Sequence, residues 1–489
     1  MTPSRDKPRA TAITAILERG GTIHEGHGRR SERGRPRRPR RALKAIGTAL
    51  IGAALVAIPS SPPAYAETDV QEAWVRHYAS GNDPEFAFAY ATAVDASGNV
   101  YVTGSSYGPN GLPDFATVKY SNSGATLWVR RYNGPTDNWD GATEIALDGS
   151  GNVYVTGQSY GSDFFDYVTI KYNPSGTQEW VARYNGPGNS DDWPNALAVD
   201  PSGNVYVTGY SIGSGTFYDY ATIKYGPSGT QEWVARYNGP GNTKDRAWGI
   251  GVDASGNVYV TGDSGEGSVN LSDYVTVKYD PSGVPQWTAR YSSLYDYATA
   301  LAVDTSGNVY VTGYSYALGT YYDYATIKYN TRGVRRWVAR YHGGVGDDFA
   351  YAIGVDASGK VTVTGESVGS GTGSDYGTVR YDARGRQQWV ARYNGPGNAS
   401  DVAVALAVAG SGDVYVTGES EGSGTVTDFA TVKLDASGNE QWVARHDGPG
   451  ESFDHATALA VDASGNVFVT GRSSRTGGSV YATVKYIHV

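Results

Sequence analysis

One pattern constrains this chain more than any other feature. V-D-x-S-G-N-V-Y-V-T-G begins at Val94, Leu147, Val199, Val252, Val303, Val355, Val408 and Val461, at intervals of 51 to 53 residues. A second element, D-Y-A-T-I-K-Y, starts at Asp114, Asp166, Asp219, Asp273, Asp323, Asp375 and Asp428 and, imperfectly, at Val480. A third, W-V-A-R-Y, starts at Trp74, Trp128, Trp180, Trp233, Trp287, Trp337, Trp389 and Trp442. Eight copies of one unit about 50 residues long mean a solenoid, an array or a propeller.

The residue types choose among these. Short alternating runs of Val, Tyr, Thr and Ile are bounded by Gly, Pro, Ser, Asn and Asp, which is the signature of strands between turns. No part of the repeat region carries a helical period. One unit holds four strands, of the types A-L-A-V-D, N-V-Y-V-T-G, D-Y-A-T-I-K-Y and Q-E-W-V-A-R-Y, and S-G turns join the first two and the last two. Four short antiparallel strands make a propeller blade. The run QEAWVRHY (71–78) is a fourth-strand element placed before the first full unit, and VYATVKY (480–486) is a third-strand element with no fourth strand after it. Pairing the two would close the ring and hide both sheet edges. The expected fold is an all-β, eight-bladed propeller over 67–489, its last blade completed by the N-terminal strand.

Residues 1–66 differ. They hold 13 of the 40 Lys/Arg and 4 of the 49 Asp/Glu, then an uncharged apolar run, AIGTALIGAALVAIP (45–59), and the small-x-small site Ala64-Tyr65-Ala66. A basic region, a short apolar stretch and such a site form an export signal, and the run is short for a membrane span. The expectation is a leader removed near Ala66 and a secreted or cell-surface protein. The remainder then has 27 basic and 45 acidic residues, a balance of −18, which disfavours nucleic acid and anionic membranes. The chain has no cysteine, so packing alone holds it together, and thiolate chemistry is excluded. The mature chain is expected to be a monomer with no membrane span and no required cofactor.

The combination G-D-D-F-A-Y-A-I-G-V-D-A-S-G (346–359), followed by V-T-G and later D-Y-G-T-V-R-Y, resembles the bacterial SBBP-type β-propeller repeat over about 70–489. The resemblance implies a propeller in an exported or surface protein and says little about activity.

G-x-S-x-G, the pattern of a hydrolase nucleophile elbow, occurs at 104–108, 157–161, 209–213, 365–369 and 418–422. An elbow needs a following helix, a histidine and an oxyanion hole. Here the motif ends a second strand, no helix follows, and the mature chain's five histidines (77, 342, 446, 455 and 488) fall at unrelated places in the repeat. The repeat writes the pattern, and the serine is expected to bond local backbone.

Strand alternation puts the longer loops on one face, where binding residues concentrate. Eight residues before the end of A-L-A-V-D stands an aspartate in seven of eight copies, Asp140, Asp192, Asp245, Asp296, Asp348, Asp401 and Asp454, with Ala87 in the first blade. By analogy with the family, the first strands lie nearest the axis. The ring could then hold calcium or a polyhydroxylated ligand. The plainer reading, favoured here, is that each aspartate accepts backbone N–H bonds and joins blades. The aspartate opening D-Y-A-T-I-K-Y reads as a strand-end cap, the repeated Lys and Arg as a solvated blade face, and the repeated Trp as core between blades.

Unrepeated residues are the better binding candidates. Trp139, Trp193 and Trp248 fall on loops between blades, and Phe164, Phe165, Phe217, Tyr218, Tyr321 and Tyr322 on the other loops of that face. Exposed aromatics suit stacking on a glycan or docking an extracellular protein. His446, Asp447, Glu451, Asp454 and His455 gather in one stretch, where metal or acid–base chemistry competes with a plain polar loop. The expected function is a non-catalytic binding module for a glycan or protein. The alternatives are a polysaccharide lyase or hydrolase with its site in the central funnel, and a structural surface protein. An enzyme needs unlike residues where the blades converge, such as opposed carboxylates or a His-Arg-Tyr group, and the linear sequence shows no convincing set.

Overall fold

A computed structural model describes residues 70–81, 85–266, 271–424, 426–449 and 453–488. The leader expected over 1–66 lies outside them. The described residues form eight four-stranded antiparallel blades and no helix. No helix among them is long and apolar enough to cross a membrane. The first strands of blades 1 to 8 are Glu85–Val94, Asp140–Leu147, Asp192–Val199, Asp245–Val252, Asp296–Val303, Asp348–Val355, Asp401–Val408 and Asp454–Val461.

Blade 3 shows how sequence makes a blade. Its strands, Asp192–Val199, Val205–Ile212, Tyr218–Tyr225 and Gln231–Tyr237, pair in that order. The recurring D-x-S-G-N-V-Y is a turn organised by one carboxylate. Asp200 accepts the backbone N–H of Ser202 (2.9 Å) and of Asn204 (3.0 Å), the Asn204 amide (2.7 Å) and the Tyr206 hydroxyl (3.0 Å). Gly203 sits at φ 80°, where a side chain would be strained. Each of the motif's fixed residues thus has a job in the hairpin.

Across the blade, Val207 faces Ile223 and Thr208 faces Thr222, whose hydroxyls meet at 2.9 Å. Both faces of the second and third strands are buried, because each blade is sandwiched between two others. The repeated tryptophan staples blade to blade. Trp233 packs on Tyr206 of its own blade and Tyr279 of the next, and its Nε1–H donates to Pro281 C=O of the next blade at 3.0 Å.

The ring closes as expected. Val70–Tyr78 pairs antiparallel with the last strand, Gly478–His488, as the outermost strand of blade 8. First strands touch first strands all round the ring, which puts them nearest the axis. Side chains stitch them together: Thr457 Oγ1 donates to Ala89 C=O across the closure (3.0 Å), as Asn195 does to Ala247 and Thr299 to Ala350 elsewhere.

The lysines and arginines of the blades correct the solvated-face reading. Lys119, Lys171, Lys224 and Lys485 are buried. The Lys171 ammonium lies 5.6 Å from the Tyr154 ring centre, a cation held against an aromatic wall. The arginines are half-buried and enter the network described next. Alternation along a strand cannot reveal that the next blade covers the supposed outer face.

Candidate functional site

Loops between second and third strands and loops between blades lie side by side on one face. Gly188 N–H donates to Ile212 C=O at 3.1 Å, and Asn110 Nδ2 donates to Asp137 C=O at 3.0 Å. Under this face runs a repeated polar network. Arg236 donates to the Ser211 hydroxyl and carbonyl (both 2.7 Å), to Asp219 (2.9 Å) and to the Tyr184 hydroxyl of the preceding blade (3.0 Å). Arg340, Arg392 and Arg445 repeat every part of it.

This network settles the G-x-S-x-G serines. Ser211 is buried; its hydroxyl reaches the adjacent Ile212 C=O at 3.5 Å, the local backbone contact expected from sequence, and is also tied to Arg236 and the Asp192 carboxylate. It is a strut with partners beyond that local contact. The aspartate of D-Y-A-T-I-K-Y, at or near the start of the third strand in blades 1 to 7, is half of an ion pair as well as a strand-end residue.

The seven first-strand aspartates are buried. Asp140 takes the Gly134 amide at 2.6 Å, Asp192 that of Gly186 at 2.6 Å, Asp245 that of Gly239 at 2.6 Å, Asp401 that of Gly395 at 2.6 Å and Asp454 that of Gly448 at 2.7 Å. Asp348 does the same with Gly343 and Asp296 with Ser293. Each therefore fixes the loop that enters its own blade. No three-residue group of metal-ligating side chains among the described residues contains two of the seven.

Burial pushes the carboxyls of Asp140, Asp192, Asp245 and Asp296 up to about 6, against the opposing effect of the neighbouring serine hydroxyl. A raised folded-state value means that the folded chain binds more protons than the unfolded chain between about pH 4 and pH 6. Stability is therefore highest below that window and falls as pH rises through it. Melting temperature should climb on going from pH 7.5 to 5, and Asp245→Asn should flatten the climb. A melting temperature that falls over that range contradicts the assignment.

The predicted aromatics form two groups and a rim. Six of them correct the loop placement: Trp193 and Trp248 lie in first strands, and Phe165, Tyr218, Tyr321 and Tyr322 at the start of third strands, because the strands extend further toward the loop face than their repeated motifs. Trp139 and Trp193 both meet Phe165, at centroid distances of 5.2 and 5.1 Å. Tyr218 and Trp248 both meet Tyr210, at 5.0 and 6.0 Å. Tyr322 lies 5.5 Å from Tyr316. Phe164, Phe217 and Tyr321 stand out from the loops, 42%, 62% and 57% exposed.

The stretch around His446 does not converge on one point. His446 Nδ1 faces Glu72 at 3.1 Å, Asp447 joins Asp428 and Asp454, and His455 bonds Glu419. Glu451 lies outside the described residues.

Sequence reasoning missed a collar of unlike residues. It is built from the residue after each first-strand aspartate, the residue two further on, and the x of G-x-S on the second strand. Register pairs them: Trp193 with Tyr210, Arg246 with Asp263, Tyr297 with Tyr314, Phe349 with Glu366, Val402 with Glu419 and His455 with Arg472. Nearly all are half-exposed near the loop-face end of the innermost strands.

Blades 3 to 6 carry an aromatic arc. Tyr314 packs on Tyr297 (5.1 Å), Phe349 (4.9 Å) and Tyr322 (5.4 Å). Arg246 pairs with Asp263 at 3.2 Å and lies 5.5 Å from the Trp248 ring centre, and Trp248 Nε1–H donates to Asp263 at 2.5 Å. Blades 6 to 8 and blade 1 carry a polar arc. Glu366 accepts the hydroxyls of Tyr351 (3.3 Å) and Ser374 (2.5 Å), and burial, with Glu419 nearby, raises its carboxyl. Glu419 also feels Arg472, which lies 4.9 Å from the Phe88 ring centre. The signal that could have found this collar was variation at fixed places inside an otherwise constant repeat.

Comparison with known proteins fits this geometry. The SBBP family, a beta-propeller repeat, matches residues 127–165, 179–215 and 286–318. Those three segments are similar to the SBBP repeat. Regulatory protein FlaEY of Caulobacter vibrioides is 33% identical over 129 residues, which is 24% of this chain and 13% of that protein. An uncharacterized WD repeat-containing protein of Acanthamoeba polyphaga mimivirus is 24% identical over 221 residues, 40% of this chain and 14% of its own length. The matches thus span a small part of both relatives. Among solved structures, Chaetomium thermophilum Sqt1 bound to the N-terminus of ribosomal protein L10 matches with a TM-score of 0.52 at 11% identity, over 86% of this chain and 100% of that one. At that identity the likeness concerns fold alone, a β-propeller.

Proposed function

We propose that this chain is an exported bacterial interaction module that takes a polypeptide segment of its partner into the collar on its loop face. The observation that carries the reading is the collar itself. Where the strands around them repeat, these positions differ from blade to blade, as recognition of an asymmetric partner requires. Half-exposed rings at Trp248, Tyr297, Tyr314 and Phe349 offer anchoring surface, and Glu366 and Glu419 offer negative charge. With the −18 balance of residues 67–489, this favours a cationic segment, whose Lys and Arg can meet both rings and carboxylates. Sqt1, of like fold, binds a protein N-terminus, which is in keeping with this use of a propeller face.

A glycan is the second reading, and the exposed rings of Phe164, Phe217 and Tyr321 on the loop rim favour it. One experiment separates the two. The purified chain is screened against a random peptide library and a glycan array, beside a collar variant (Tyr314→Ala with Phe349→Ala) and a rim variant (Phe217→Ala with Tyr321→Ala). The polypeptide reading expects Lys/Arg-rich peptides whose affinity falls about tenfold or more in the collar variant alone, the size of a hot-spot loss. Glycan hits lost only in the rim variant favour the second reading. Silence in both screens rejects both.

A further inference from the structure

We propose that the junction of blades 5 and 6 is a binding site for a divalent transition metal of the zinc class, formed by Asp323, His342 and Asp348. Asp323 is the third residue of the third strand of blade 5 (Tyr321–Tyr329), His342 follows its outer strand (Arg335–Tyr341), and Asp348 opens blade 6. One donor atom from each lies within 4.8 Å of the other two. His342 Nδ1 is 3.4 Å from Asp323 Oδ1 and 3.3 Å from Asp348 Oδ2.

What points to a ligand is the state of these atoms. Asp323 Oδ1 and His342 Nδ1 are buried and lack a well-formed hydrogen bond, while the Asp348 carboxyl has the Ser367 hydroxyl and the Gly343 amide as partners and faces His342 with Oδ2. Both carboxylates are held in place. Asp323 Oδ2 accepts Arg340 Nη2 (3.0 Å) and Thr320 Oγ1 (3.1 Å), and Asp348 Oδ2 accepts the Gly343 amide (2.7 Å). Supporting bonds of this kind orient the ligands of a metal centre. Arg340 offsets the charge of Asp323 in part, and two carboxylates this close in a buried place still favour a further cation or a proton between them.

The third donor sets this junction apart. Orphan aspartate oxygens recur at other junctions, but the place of His342 is taken there by residues such as Asn185, Asn238 and Asn394. Those amides turn away to staple their own loop, as Asn185 does to Asn189 at 2.8 Å. Four residues after His342 stands Gly346, which offers no such partner, and the ring points inward instead. The donor set and spacing select the metal. One imidazole nitrogen and two carboxylates suit zinc-class ions, whose tetrahedral ligands at ~2.1 Å stand ~3.4 Å apart. Calcium prefers six to eight oxygens. The His342 side chain is 30% exposed, so a fourth ligand can come from solvent.

The test uses the chelator-treated full chain and His342→Asn, which installs the residue found at other junctions and so preserves the fold. Zinc, cobalt and calcium are titrated singly, following bound metal, melting temperature and cobalt absorption. The proposal expects one zinc or cobalt per chain, tetrahedral cobalt bands, a higher melting temperature with zinc, and an affinity loss of about 100-fold in His342→Asn. Absence of stoichiometric zinc uptake overturns it. So does uptake that His342→Asn leaves unchanged, as does calcium binding at least as tightly as zinc. Equal melting temperatures of the two metal-free proteins are expected; a large drop in His342→Asn would mean that the imidazole serves as a protonated strut, which also overturns it.

Discussion

A chain lacking residues 70–80 is expected to lose its cooperative melting transition and to associate with itself. The strand Val70–Tyr78 pairs antiparallel with residues 481–488 of the last strand, with one register shift between Glu72 and Trp74. It brings Trp74, buried against Tyr120 of blade 1 and Phe468 of blade 8, and Tyr78, which meets the Tyr481 ring at 5.2 Å. Deleting a packed tryptophan alone costs about 3–5 kcal/mol. The deletion also bares the outer edge of residues 481–488, of which 481–486 stay paired on their inner side alone, and an open edge recruits other chains. The sum approaches the whole stability of a typical domain, about 5–15 kcal/mol. Circular dichroism melting and size-exclusion chromatography read the result. A monomer with an unchanged melting temperature would mean that the ring is closed by something else. A synthetic peptide covering 67–80 should restore the transition when added to the truncated chain.

Arg236→Met should be the most damaging single substitution of a charged side chain. It keeps most of the volume and removes the cation that Ser211, Asp219 and Tyr184 share. Asp219 is 4% exposed and would remain as a buried charge without its partner. Breaking such a pair from one side costs about 3–5 kcal/mol. Arg236→Lys should recover little, because a single ammonium cannot reach three partners at fork geometry. Adding Asp219→Asn to Arg236→Met should return part of the loss, since it removes the stranded charge. Urea denaturation of the four proteins measures this. A loss under about 1 kcal/mol for Arg236→Met would show that the network is decorative.

The fold was legible because eight copies agree. Turn residues, alternation and the displaced W-V-R-H-Y at the N-terminus together specify four-stranded blades and the way they close. The roles of single side chains were less legible. The arginine of W-V-A-R-Y looks solvated along its own strand; it is half-buried because the tyrosine ending the previous blade's outer strand, such as Tyr184 before Arg236, reaches over it. Ser211 looks like a nucleophile until the third and fourth strands bring Asp219 and Arg236 beside it.

The collar was least legible of all. Glu419 and His455 are 36 residues apart and meet only because equivalent places in successive blades are neighbours around the axis. Once blades are in register, the opposed carboxylates and the His-Arg-Tyr group absent from the linear reading lie near one another, as Glu366, Glu419, His455, Arg472 and Tyr351. The rim aromatics were found by being unrepeated, and that criterion applied within the strands would have found the rest.

The central claim is that repeated residues build the ring and unlike residues at its mouth engage the partner. Hydrogen–deuterium exchange of the chain with and without a saturating library-selected peptide tests it most directly. The account predicts added protection in the loops between blades and the loop-face ends of the first two strands in blades 4 to 7, around Trp248, Tyr314, Phe349 and Glu419. Protection confined to the S-G turns of the opposite face, or to the outer strands, would contradict it.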